Sequence, residues 1–168
     1  EKASSVACCD DAVVVLSLNG RVFSSAFDKE SNKLSFSAVE ELACEEIVCL
    51  SGTNEHCLVI NKEGRVFGRG SNDHGQLGLG EEADSVSSFT EISSLDGYEI
   101  RAAYAGGCHS LFETKEGKIL SCGSNICGQL LQNSGPSENV FTPKETAITG
   151  DTTFCIAGCY SSVVFNGN

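Results

Sequence analysis

The sequence has no tryptophan and no methionine, only two prolines and three histidines, and 11 basic residues against 23 acidic ones. So few bases argue against direct contact with a phosphate backbone, which proteins neutralise with Lys and Arg. A net charge of −12 suits a basic protein surface instead. No apolar run approaches the roughly 18 residues of a membrane helix. The longest strongly apolar stretch is Ala12 to Leu16, so no membrane association is expected. Glu1-Lys2-Ala3-Ser4-Ser5 shows no basic region followed by an apolar block, and no signal peptide is expected there. The Gly-x-x-x-x-Gly-Lys-Ser/Thr phosphate loop, the Gly-x-Ser-x-Gly elbow and Cys-x-x-Cys pairs are all missing. Gly68-Arg69-Gly70 begins like a dinucleotide fingerprint, but Asp73 stands where the last glycine is needed. No catalytic residue, cofactor or metal is therefore expected. His74 reads as an exposed loop residue.

Glycine and cysteine are abundant. Eighteen glycines with two prolines suit many tight turns between short strands. Of the ten cysteines, Cys8, Cys49, Cys57, Cys122 and Cys155 sit in apolar, strand-like runs. Buried free cysteine behaves as a small hydrophobe, which points to a reducing compartment, cytoplasmic or nuclear.

An internal repeat organises the chain. Val66-Phe67-Gly68-Arg69-Gly70-Ser71-Asn72-Asp73-His74-Gly75-Gln76-Leu77-Gly78-Leu79-Gly80 returns, offset by 53, as Ile119-Leu120-Ser121-Cys122-Gly123-Ser124-Asn125-Ile126-Cys127-Gly128-Gln129-Leu130-Leu131. Each copy is preceded by two strand-like runs. Glu46 to Ser51 and His56 to Asn61 lead to a Lys62-Glu63-Gly64 turn; Ile100 to Ala105 and His109 to Thr114 lead to Lys115-Glu116-Gly117. A fourth strand is expected at Phe89 to Leu95 and at Thr142 to Ile148, where Pro143 argues for a sheet edge. Gly135-Pro136 marks a turn before the latter. Earlier in the chain, Ser4 to Cys9, Val13 to Ser17, the Asn19-Gly20 hairpin turn, Arg21 to Ser24 and Ser35 to Leu42 form a diverged set. Thr152 to Ala157 and Ser161 to Phe165 begin another. Four short strands at a period near 50 predict an all-β chain of propeller blades, about three and a half of them. The expected blades are 4–45, 46–98 and 99–149, with a two-strand half-blade at 150–168.

These residues resemble the regulator of chromosome condensation repeat family. Gly106-Gly107-Cys108-His109-Ser110 and the two glycine-rich loops carry the likeness. The first set has Ala12, and the last Ser161, where the family has His. Gly52 to His56 reads as one residue longer than the family spacing. Arg69 and Cys122 stand where the family often has Trp. Recurrent His56 and His109 are expected to tie backbone together, as are Asn72, Asn125, Gln76 and Gln129. The resemblance implies a propeller of about seven blades, of which this chain holds half.

Such a half, with open strand edges, is expected to be completed by self-association as a homo-oligomer or by a missing half of a longer chain. The resemblance further implies a non-catalytic protein-interaction module, or alternatively a guanine-nucleotide exchange factor for a small Ran-like GTPase. The exchange reading needs a protruding wedge, and no long insertion supplies one. The absence of tryptophan excludes the Trp-based light sensing of one branch of the family. For contact with a basic, histone-like partner the candidate residues are Glu81, Glu82, Asp84, Glu91, Asp96 and Glu99, in a run without a base. Glu40, Glu41, Glu45 and Glu46 form a second acidic cluster.

Overall fold

In each set glycine closes the turn after the second strand, and β-branched and other apolar residues fill the inner strands. Gly20, Gly64 and Gly117 occupy equivalent positions after the second strand of their sets and all have positive φ, which glycine adopts without a Cβ clash. The computed structural model describes residues 1–9, 12–80, 85–133, 138–148 and 152–166. Gly135-Pro136 lies outside them.

The strands are β1 (Ala3–Cys9), β2 (Ala12–Ser17), β3 (Val22–Asp28), β4 (Lys33–Ala38), β5 (Ile47–Gly52), β6 (His56–Asn61), β7 (Val66–Ser71), β8 (Ser85–Glu91), β9 (Ile100–Ala105), β10 (His109–Thr114), β11 (Ile119–Gly123), β12 (Val140–Glu145), β13 (Thr152–Ala157) and β14 (Ser162–Asn166). They form three four-stranded sheets in sequence order, β1 to β4, β5 to β8 and β9 to β12, and a two-stranded sheet β13-β14. Every pairing is antiparallel. The chain is all-β, three blades and a half.

The core lies between successive blades. Leu16, Val22, Ile47, Val59 and Phe67 fill the first joint. Leu58, Ile60, Leu77, Phe112 and Leu120 fill the second, and Leu111, Ile119 and Cys155 the third. Pro143 lies on β12, an outermost strand, where its missing N–H costs no ladder bond.

The outer strands differ from expectation in their bounds. β4 ends at Ala38 and β8 at Glu91; the apolar residues that follow belong to the 3-10 turns Glu40–Leu42 and Ser93–Leu95. Those turns swing Leu42 and Leu95 into the core, so the apolar signal continues after the strand has stopped. β12 starts at Val140, opposite Gly123, and stops at Glu145.

The first blade departs further. Its third strand runs on to Asp28, past the Arg21 to Ser24 of the sequence reading, and pairs with β4 as far as Lys33. β2 reaches only Val22 to Ser24. The hairpin beyond Ser25 therefore stands clear of the inner strands, with Phe27, Leu34 and Phe36 about half exposed. In the second and third blades a glycine-rich loop occupies this place and returns Leu77 or Leu130, both fully buried, to the core.

Leu77→Ala removes a side chain packed against Gly68, whose Cβ would lie 2.8 Å from Leu77 Cδ2. It is expected to cost about 3 kcal/mol in denaturant unfolding, whereas Ile126→Ala, on an exposed side chain, should change stability by less than about 0.5 kcal/mol.

Candidate interaction surface

Rigid loops need rigid joints, and two of the three joints here are each built around one serine. Ser110, the second residue of β10, donates its hydroxyl proton to the Gln76 carbonyl of the preceding blade at 2.6 Å. Its oxygen lies 2.7 Å from His56 Nε2, also of the preceding blade. A hydroxyl has one proton, so His56 must donate from Nε2 and leave Nδ1 bare. Ser162 repeats the arrangement, donating to the Gln129 carbonyl at 2.7 Å and lying 2.9 Å from His109 Nε2. The two Nδ1 atoms are buried without a hydrogen-bond partner among the described residues. Protonating either would strand a charge, and burial holds His56 down at about 3, assisted by His109, and His109 at about 4.

The asparagine and glutamine of each glycine-rich loop bond that loop's own backbone. Asn72 Oδ1 accepts from Leu77 N and Asn125 Oδ1 from Leu130 N. Gln76 and Gln129 accept from the N–H of His74 and Cys127. Behind the loop, Gly70 has φ +111° and a Cβ there would fall 2.4 Å from the Glu55 carbonyl oxygen. His74 is a half-buried loop residue whose Nδ1 lies 3.4 Å from Asn139 Nδ2 of the next blade.

The apparent extra residue between Gly52 and His56 is not an insertion. Thr53 N bonds the His56 carbonyl as Gly106 N bonds that of His109, so Thr53 occupies the glycine position. Its hydroxyl donates to the Gly106 carbonyl at 2.9 Å. The first joint lacks the histidine clamp. Ala12 stands for His and Cys57 for Ser, and the Cys57 thiol instead bonds that of Cys9, both fully buried.

The loops between the two inner strands of each blade surround a cavity of about 570 Å³. Val6, Cys8, Asn54, Glu55, Cys108, Cys159 and Tyr160 are among its lining residues. All ten cysteines are free thiols. Among the described residues no group of three or more His, Cys, Asp or Glu is placed to hold a metal ion, and no helix is long and apolar enough to cross a membrane.

The acidic candidates do not share one place. Glu81, Glu82 and Asp84 lie outside the described residues. Glu91, Asp96 and Glu99 are exposed at the turn end of the blades, the end away from that cavity. Glu91 pairs with Arg65 at 3.6 Å and Glu99 with Lys115 at 3.2 Å. Of the second cluster, Glu45 pairs with Arg65 and Glu46 with Lys62, and Glu41 accepts from Phe89 N across the joint. Solvent-screened surface pairs of this kind add little to stability.

Four-stranded sheets stacked side by side around a central cavity make this chain an arc of a β-propeller. The chain belongs to the regulator of chromosome condensation (RCC1) repeat family, whose repeat profiles match residues 47–76 and 63–112. It is 38% identical over 92 residues to the probable E3 ubiquitin-protein ligase HERC3 of Homo sapiens, covering 55% of this chain and 9% of that protein. It is 40% identical over 87 residues to the secretion-regulating guanine nucleotide exchange factor of Bos taurus, covering 52% of this chain and 18% of that one. The solved structure of Prp20p from Saccharomyces cerevisiae superposes with a TM-score of 0.81 at 14% identity, over 98% of this chain and 43% of the other. The chain thus spans less than half the length of each of these proteins.

Ser110→Ala is expected to cost about 1–3 kcal/mol, because the Gln76 carbonyl and His56 Nε2 both lose their partner. Stability should also fall as the pH drops below 6.5. The unfolded histidines take up protons near 6.5 that the folded ones refuse until about 3 and 4. Urea melts between pH 7 and 4 should show this loss, and His56→Gln, which keeps an N–H donor and cannot titrate, should show less of it.

Proposed function

We propose that the chain is a protein-interaction module without catalysis of its own, and that its two end faces are covered by further blades, supplied by the same chain or a second copy. The observation that carries this reading is a pair of apolar ends. Blade one exposes Val6, Phe27, Leu34 and Phe36, and the half-blade exposes Phe154, Ile156, Val163 and Phe165. Within the arc each comparable face is covered by the next blade, and large exposed apolar patches mark interaction sites. Among the described residues β14 pairs with β13 alone, and an open edge accepts another strand.

Loops and turn ends of the covered ring then meet the partner. The excess of acids at the turn end, with Glu91, Asp96 and Glu99, favours a basic protein; Glu81, Glu82 and Asp84 extend the same acidic sequence. Prp20p has been described together with its binding to Gsp1p and histones, which supports a partner of either kind in the cytoplasm or nucleus. A second reading, exchange of nucleotide on a small GTPase, is favoured by the likeness to a guanine nucleotide exchange factor and by the free-standing β3-β4 hairpin, which needs no insertion to protrude.

Light scattering of the 168-residue chain over a concentration series is expected to give dimers or larger species. A monodisperse, protease-resistant monomer would overturn the covering of the end faces. Histone binding that weakens with salt supports the acidic surface, and accelerated release of labelled nucleotide from Ran-like GTPases supports the exchange reading.

A further inference from the structure

The loop tips around the cavity carry thiols that neither the fold nor the proposed interaction uses. Equivalent tips read Asn54-Glu55, Gly107-Cys108 and Cys159-Tyr160. The last two are held together by the bond from Gly107 N to the Gly158 carbonyl at 3.1 Å. Gly107 has no side chain, and Cys159 fills the space one would take, its carbonyl oxygen 2.5 Å and its Sγ 3.0 Å from where a Cβ would be. The thiol of Cys159 therefore lies over the residue next to Cys108. Both cysteines line the same open cavity, Cys159 exposed and Cys108 partly so. Burial, with Glu55 and Cys159 nearby, pushes the Cys108 thiol up.

We propose that Cys108 and Cys159 form a dithiol site at the mouth of the cavity, which reacts with small disulfides of the glutathione class to close a cystine between blade three and the half-blade. Cys159, the more exposed, meets the oxidant first. Its thiolate attacks one sulfur of the small disulfide and expels one thiol, leaving a mixed disulfide. Cys108 then attacks the Cys159 sulfur and expels the second thiol. Two protein S–H bonds are exchanged for one S–S bond, and the small disulfide takes up the two electrons and two protons as two thiols. Because its thiol is held in the protonated form, the Cys108 step quickens as pH rises through the thiol range.

The cystine ties the two-stranded sheet β13-β14 to its neighbour and restrains the loop tips that line the cavity. The buried Cys9–Cys57 pair provides an internal contrast. The Cys57 thiol interacts with that of Cys9, but both are buried and a small disulfide reaches neither without opening the first joint.

The test uses the 168-residue chain, reduced, freed of reductant and exposed to glutathione disulfide at mildly alkaline pH. Remaining thiols are alkylated and the digest is read by mass spectrometry. The expected main product joins the peptide of Cys108 to that of Cys159. Cys108→Ser and Cys159→Ser should each lower cross-linked product at least about tenfold and leave glutathione on the remaining partner, with circular dichroism unchanged. A digest dominated by Cys127–Cys159 or Cys9–Cys57, or one holding only mixed disulfides in the native sequence, overturns the proposal. The result does not depend on the partner or on oligomeric state, so it can fail while the interaction reading stands.

Discussion

One hydroxyl at each of the second and third joints holds those blades together. Ser110 and Ser162 each join three pieces of chain: their own strand, the preceding blade's histidine and the carbonyl of the preceding blade's Gln76 or Gln129. Fixing that carbonyl fixes the glycine-rich loop, and the loop in turn seats Leu77 or Leu130 in the core. Buried polar groups stabilise a fold only when they are paired, so the clamp is intolerant of losing a member. It is also the point at which the fold stores its acid sensitivity, since the histidines remain neutral with one nitrogen bare.

Where the clamp is absent the blade changes character. At the first joint Ala12 and Cys57 replace the His and Ser positions, no glycine-rich loop folds back, and β3 and β4 extend outward as a hairpin with an apolar face. The last sheet has its serine clamp but only two strands. Both ends of the arc expose clusters of hydrophobic side chains. The ends and the turn surface thus differ in chemistry: apolar side chains at the ends, and the exposed acids Glu91, Asp96 and Glu99 at the turn end. One fold serves many roles in this way, and activity resides in such sites.

Local features were legible in the sequence. The repeat, the turn glycines and the Asn and Gln of the loops act on backbone within a few residues, so their types at those spacings state their roles. The role of Ser110 was not legible, although the His109-Ser110 dipeptide drew attention to the place. Its partners lie 54 and 34 residues earlier in the chain and meet it only through blade stacking. The outer strand ends were misplaced because Leu42 and Leu95 are apolar for the sake of a 3-10 turn. The acidic run was continuous in sequence, yet Glu91 and Glu99 stand in separate ion pairs on successive blades. Spacing alone made Thr53 look like an insertion, and hydrogen bonds restore the register.

A double-mutant cycle between His56 and Ser110 tests the clamp most directly. Stabilities of the native chain, His56→Ala, Ser110→Ala and the double variant give the coupling between the two side chains, free of their separate packing costs. The account predicts coupling of at least about 1 kcal/mol, with the double variant losing less than the sum of the single losses. Additive losses within about 0.3 kcal/mol would mean that the blades are held by apolar packing alone, and would contradict it.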